Sequence, residues 1–217
     1  DWSSDVCSSD LPGDLLLAAG QRLGSADLAR LAGCGIAELT VVQQPRIGVL
    51  ISGDELVPPG NTRHPGAIWE SNGTLLETML RALGQSVTQR RVVADQPDAL
   101  RQALLDLAHD CDVVVSTGGV SAGDTDWIRP LVAELGAVDF WKLFLRPGRP
   151  FAFGSIGEGV PFFGLPGNPV AAAVTALQLL WPALQVLEGQ SEPELFPRVM
   201  VELADPLSRR PGRPELA

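Results

Sequence analysis

The apolar residues of the chain follow two spacings that take turns along its middle. Residues 46–51, 87–93, 112–116 and 137–144 are short runs rich in β-branched and other apolar side chains, the length and composition of strands buried in a sheet. Between them, residues 72–83, 97–108 and 126–135 carry apolar positions three and four apart, which is helical spacing. Alternation of this kind predicts βαβ units, and hence an α/β fold of three layers, a parallel sheet with helices on both faces. The rhythm then changes. Residues 151–155 and 160–163 flank Ile156-Gly157-Glu158-Gly159, a hairpin signature. After them Pro166-Gly167-Asn168-Pro169 opens a long helix running to Leu187, with Asn168 as N-cap and Pro169 preset at the first helical position.

The flanks have a different texture. Residues 13–44 predict a small unit: a strand at 15–18, a turn at Gly20, a helix from a Ser25 N-cap to Ala32 and a strand at 38–42. The short polar stretch Gln43-Gln44-Pro45 reads as a linker to the main unit, residues 45–188. From Glu188 the composition shifts to Gly, Ser, Glu and Pro, and residues 198–203 predict a new strand. Residues 194–217 are therefore expected to be the truncated start of a C-terminal β-domain. The Ser/Asp repetition of residues 1–12 has neither the basic start nor the apolar core of a signal peptide, and it reads as a non-native leader.

Composition narrows the partners. The chain of 217 residues is 45% hydrophobic and 19% charged, a globular balance. Its most apolar stretch, residues 170–187, is interrupted by Thr175, Gln178 and Pro182, so a buried helix is expected rather than a membrane span. A net charge of −10, with Lys142 the single lysine, argues against nucleic acid. An anionic small molecule stays open, because one local cluster of cations or a metal can outweigh the global field. The separated Cys7, Cys34 and Cys111, with only two histidines, exclude a Cys/His zinc site and point to a reducing compartment.

Five stretches carry candidate chemistry. Ser52-Gly53-Asp54-Glu55-Leu56 follows the first strand of the alternating unit and offers hard oxygen donors suited to Mg²⁺. Asp95 follows the second, and since Gln96 holds the cap position before Pro97, its carboxylate is not needed for capping. The loop from Ser116 to Asp126 includes Thr117, Gly118, Gly119, Val120, Ser121, Gly123 and Asp124. Its glycines let backbone approach a ligand, and loops at the carboxyl ends of parallel strands are where open α/β sheets place ligands. Lys142, Arg146 and Arg149 gather positive charge suited to an oxyanion around a Pro-Gly turn. Pro166, Gly167 and Asn168 present a helix start, favourable to anions. Together they describe a composite site for a phosphorylated ligand held through Mg²⁺. Neither a catalytic triad, a Walker lysine nor a dinucleotide fingerprint can be assembled.

Four of these stretches, those at Ser52, Ser116, Lys142 and Pro166, together with Ser71-Asn72 and Trp141, resemble in order those of the molybdopterin molybdenumtransferases, the MoeA and gephyrin E-domain type. The resemblance runs from Gly13 to the end. It implies a MogA-like molybdopterin-binding domain over residues 45–188 and a remnant of a preceding domain over 13–44. It also implies a reaction, Mg²⁺-dependent insertion of molybdate into adenylylated molybdopterin with release of AMP. Carried over by position, Glu55, Asp95 and Asp126 are its acidic site residues and tentative Mg²⁺ ligands, and Lys142 and Arg146 its basic ones. Ser52, Gly53, Asp54, the glycine loop, Arg149 and the Pro166-Gly167-Asn168 turn would bind substrate. Arg146 stands where a lysine is frequent, and the family's remaining acidic residue falls in the Ser/Asp stretch near Ser9. The resemblance further implies a cytoplasmic homodimer whose site is completed across subunits, and a molybdopterin adenylyltransferase as partner. An adenylyltransferase-type molybdopterin-binding domain of the same fold and a non-catalytic scaffold are the alternatives.

Overall fold

A computed structural model describes residues 13–119, 127–196, 200, 202 and 204. Its centre is a six-stranded sheet. The strands in chain order are β1 (Ile47–Ser52), β4 (Val87–Val93), β5 (Val113–Thr117), β6 (Gly136–Trp141), β7 (Ala152–Ile156) and β8 (Val160–Leu165), and across the sheet they lie as β4-β1-β5-β8-β7-β6. A separate small ladder joins β2 (Leu56–Val57) to β3 (Ile68–Trp69). The pairs β4·β1, β1·β5 and β5·β8 are parallel, as the alternation predicts. The sheet is mixed, however, because the β7·β8 hairpin and its neighbour β6 pair antiparallel. Two strands joined by the three residues Gly157, Glu158 and Gly159 have no room for the crossover that a parallel pair needs.

Side chains of β1 sort by the period of two. Ile47, Val49 and Ile51 face one layer with Leu76, Leu80, Leu180 and Leu184. Leu50 faces the other, with Leu100, Leu104 and Leu107. The first layer is α2 (Asn72–Ala82) with α5 (Pro169–Thr175) and α6 (Trp181–Leu187); the second is α3 (Pro97–Asp110) with α4 (Ile128–Leu135). Both faces of β1 are closed, so all six residues are buried. That burial is why the run reads as continuously apolar instead of alternating.

Residues 169–187 are long and apolar enough to cross a membrane by length and composition, but the helix lies against the sheet with Ala172, Leu180 and Leu184 fully buried. It is not one regular helix. A π-helical turn, Ala176–Leu180, separates α5 from α6, where Pro182 lacks the N–H that a continuous α-helix would use. Asn168 caps α5 as expected, its side chain accepting from the Ala171 N–H at 3.1 Å.

Four local expectations are corrected. Residues 15–18 and 38–42 form no ladder, since among the described residues no strand pairs with them; β propensity alone cannot hold an extended segment that finds no partner. Helix α1 (Ser25–Gly33) is capped by Gly24, not Ser25, and Asp27 Oδ2 accepts from the Gly24 N–H at 2.8 Å. Strand β6 stops at Trp141, short of Phe144, because Lys142 takes a left-handed φ of 88° that turns the chain out of the ladder. The strand expected at 198–203, like the leader and the 120–126 part of the glycine loop, lies outside the described residues.

Candidate functional site

The carboxyl ends of β1, β4 and β5 lie side by side, so the turns that follow them meet above the sheet edge. Ser52 ends β1 and is buried, while Asp54 and Glu55 are exposed in the turn beyond it. Asp95 comes from the turn after β4, and its N–H donates to Asp54 Oδ1 at 2.9 Å. Gln96 is indeed the N-cap of α3, so the Asp95 carboxylate is left to this cluster. Burial pushes the Asp95 carboxyl up from its ordinary range, and the charges of Asp54 and Glu55 add to the rise. Ser52 and the backbone at Asp54 oppose it. Negative charge is thus concentrated at one place, where a cation would relieve it.

Beside these carboxylates runs a cleft of about 90 Å³ lined by Ser52, Glu55, Trp69, Asn72, Thr117 and Gly167, among others. Its floor is tied together by Asn72. The Nδ2 group donates to Thr117 Oγ1 at 2.7 Å and to the Gly167 carbonyl at 2.8 Å, which joins α2, β5 and the turn before α5. Thr117 Oγ1 in turn donates to the Pro166 carbonyl at 3.2 Å. One polar atom of the lining, Asn72 Oδ1, is buried without a hydrogen-bond partner among the described residues, while the equally buried Ser52 hydroxyl faces the Asp95 carboxylate and lowers its pKa. An orphan of this kind is costly in a folded protein and signals a partner that arrives from outside. The Gly118 backbone passes so close to β1 that a Cβ there would sit 2.3 Å from the Ser52 carbonyl oxygen, and its φ is +87°. Only glycine fits both conditions.

A buried ion pair supports the cleft from below. Glu70 is 1% exposed and pairs with Arg90, while its Oε1 accepts from the Gly73 N–H at 2.6 Å. The Arg90 side chain and Ile51 occupy the space that a Cβ at residue 73 would need, so the first turn of α2 packs directly on β1 and β4.

The structure therefore brings together Ser52, Asp54, Glu55, Asp95, Thr117, Gly118 and the Pro166-Gly167 turn. Val120, Ser121, Gly123, Asp124 and Asp126 lie outside the described residues. Among the described residues no group of three or more His, Cys, Asp or Glu side chains could hold a metal ion by itself. The basic segment stands apart. The ladder aligns Ser116, Gly164, Ala152 and Trp141 in one row, so Lys142 leaves the same edge of the sheet as Thr117 but three strands away, about 14 Å at the usual spacing. Lys142, Arg146 and Arg149 are all exposed. Sequence reasoning gives Asn72 and Glu70 no site role. Asn72 stands out only within the Ser71-Asn72 pair that carries part of the resemblance, and a glutamate just before a helix looks like ordinary surface.

A family profile described as a probable molybdopterin binding domain matches residues 48–186, which is the sheet with its five covering helices and the whole cleft. The chain belongs to the molybdopterin-binding domain family. Within that family its relatives include molybdopterin molybdenumtransferases. That of Haemophilus influenzae is 38% identical over 180 residues, covering 83% of this chain and 44% of the relative. Gephyrin of Dictyostelium discoideum is 29% identical over 244 residues, covering 98% of the chain and 33% of the relative. A solved molybdopterin biosynthesis MoeA protein of Pyrococcus horikoshii superposes with a TM-score of 0.72 at 33% identity, over 83% of this chain and 44% of that one. The chain thus spans less than half the length of these relatives. The molybdopterin biosynthesis enzyme MoaB of Thermus thermophilus superposes with a TM-score of 0.52 at 20% identity over 69% of the chain, a likeness that shows the fold alone.

Proposed function

We propose that this chain carries the substrate-binding unit of a molybdopterin molybdenumtransferase, which inserts molybdate into adenylylated molybdopterin and releases AMP. The observation that supports this most is the cleft at the joined ends of β1 and β5, where Asn72 Oδ1 is buried without a partner among the described residues and the buried Ser52 hydroxyl faces Asp95, beside three carboxylates. In such a reaction the dithiolene sulfurs replace oxygens of molybdate, and water cleaves the phosphoanhydride to give AMP. Ser52 Oγ donates to a phosphate oxygen at the cleft floor, and Asn72 Oδ1 accepts from an N–H or O–H of the ligand. Lys142, three strands along the same sheet edge, holds a second anionic group by charge together with Arg146 and Arg149. The separation of Lys142 from the cleft suits a ligand with charge at two distant points.

Glu55 and Asp95, with Asp54 beside them, fit Mg²⁺, which is held through one or two carboxylates and completes its octahedron with water and substrate phosphate. Burial first, and then the charges of Asp54 and Glu55, raise the Asp95 carboxyl, and a cation placed there would offset that cost. Bound there, the ion would neutralise charge developing on the phosphoanhydride. An adenylyltransferase-type domain of the same fold is the alternative, and the 38% identity to a molybdopterin molybdenumtransferase favours the transferase.

The test is AMP release from adenylylated molybdopterin by the full-length protein with Mg²⁺, with and without molybdate. Release that depends on molybdate supports the transferase. Equal release without molybdate, or none in either case, sinks it. A second expectation concerns Asp95→Asn. The folded protein disfavours the ionised Asp95, so wild-type stability falls as pH rises above the ordinary carboxyl value of 3.8 through the raised one. Without metal the asparagine variant should melt higher than wild type at neutral pH, and the two should converge below about pH 4. Added Mg²⁺ should raise the melting temperature of wild type and leave the variant unmoved, read by differential scanning calorimetry.

A further inference from the structure

Trp69 is a large aromatic side chain left 52% exposed on the rim of the cleft, and its surroundings hold it in place. The Ile68 N–H donates to the Glu55 carbonyl at 2.8 Å and the Glu70 N–H to the Val57 carbonyl at 2.9 Å. These two bonds bracket Trp69 and tie it to the carboxylate turn on one side and to the buried Glu70 on the other. The Arg63 guanidinium sits 4.7 Å from the indole centroid, and its Nη1 also donates to the Ala67 carbonyl at 2.9 Å. The ring is therefore exposed and yet backed and oriented.

The size of the cleft says what belongs beside it. At about 90 Å³ the cleft is far below the roughly 300–1,000 Å³ of pockets that enclose a whole ligand. It takes an anionic group or a metal with its waters, and the rest of a larger ligand extends past the rim. Where that remainder is a fused ring, the rim offers an indole face for it.

We infer that Trp69, backed by Arg63, is the stacking platform for the fused heteroaromatic ring of the ligand whose anionic end enters the cleft. The inference rests on the proposed function for the kind of ligand, whose pterin and adenine both present such a ring. Offset stacking on the indole supplies affinity that is tolerant of the ring's exact substituents. The Arg63 cation on the other side holds the indole in one rotamer, so little ordering is needed when the ligand arrives. Trp69 is a binding and positioning residue in this reading, set apart from the phosphoanhydride by the length of the ligand.

The test is calorimetric binding of three probes in the presence of Mg²⁺: AMP, 6-hydroxymethylpterin monophosphate, and ribose 5-phosphate, which has no ring. Wild type should bind at least one of the ringed probes about tenfold or more tighter than ribose 5-phosphate. Trp69→Ala should lose that advantage while keeping its affinity for ribose 5-phosphate, and Trp69→Phe should keep most of it. The probe that suffers identifies the ring as adenine or pterin. Unchanged circular dichroism and melting temperature would separate this from a loop that has merely come loose. If wild type shows no preference for a ring, or the alanine variant retains it, the platform does not exist. The outcomes also separate the two readings. A ring preference that depends on Trp69 without molybdate-dependent AMP release would keep the platform and reject the transferase. Normal AMP release with an unaffected Trp69→Ala variant would do the reverse.

Discussion

Gly118→Ala should destabilise the protein by about 2–4 kcal/mol and abolish ligand binding at the cleft. The position combines a φ of +87° with a Cβ that would lie 2.3 Å from the Ser52 carbonyl oxygen. That neighbour is backbone, in the middle of the sheet edge, and cannot rotate away as a side chain would. Either β1 and β5 separate at their carboxyl ends or the loop after Thr117 lifts off. Both outcomes break the line of Ser52, Asn72 and Thr117 that forms the cleft floor. Gly167→Ala is the control, because a Cβ there meets Gly118 Cα at 3.7 Å, an ordinary contact, without a positive φ. Urea unfolding of the two variants should therefore differ by about 2 kcal/mol or more. Equal stabilities would mean that the close approach of the glycine loop to β1 does not constrain this turn.

The second large effect is expected at Glu70, which no motif points to. Glu70→Ala removes the partner of Arg90 and the acceptor of the Gly73 N–H at once. Breaking a buried pair from one side leaves a charge with reduced compensation, at a typical cost of about 3–5 kcal/mol. Here Arg90 is 28% exposed in its side chain and has Glu77 at 3.8 Å as a second carboxylate, so the lower end, about 3 kcal/mol, is expected. Glu70→Gln retains an acceptor for Gly73 and should recover part of the loss. A melting temperature unchanged in Glu70→Ala would show that the pair contributes nothing net. The consequence for the site is indirect but large. Glu70 fixes the start of α2, Asn72 sits in its first turn, and Trp69 precedes it, so loosening Glu70 should weaken binding as well as stability.

Both predictions concern residues that sequence reasoning treats unequally. Gly118 was legible because three glycines following a strand are more than a turn needs. Glu70 was not, because burial of a carboxylate depends on an arginine twenty positions away in another strand. Asp95 lies between these cases. The helix cap at Gln96 could be read from Pro97, and that freed Asp95 for another role. The rise in its pKa, however, depends on burial and on Asp54 and Glu55 arriving from a different strand. The basic segment teaches the opposite lesson. Lys142, Arg146 and Arg149 were readable as a cluster, but only the ladder shows that Lys142 leaves the sheet three strands from Thr117.

What the sequence determined by itself is local and periodic. The spacing of apolar residues set the strands and helices of residues 46–187, their order and the two covered faces, because side-chain periodicity decides which surface can be buried. Turn chemistry set the cap at Asn168 and the start of α3, since those depend on neighbours in the chain. Tertiary structure decided everything that needs two distant segments to meet. It left residues 15–18 and 38–42 without a ladder and turned the sheet edge antiparallel. It also placed Asn72 across Thr117 and Gly167 and buried Glu70 against Arg90. Strand order brought the ends of β1, β4 and β5 to one edge, and there a cleft, a concentration of negative charge and an exposed indole came to share one site. Each of those properties is a distance between elements, and a distance of that kind is set by packing rather than by spacing along the chain.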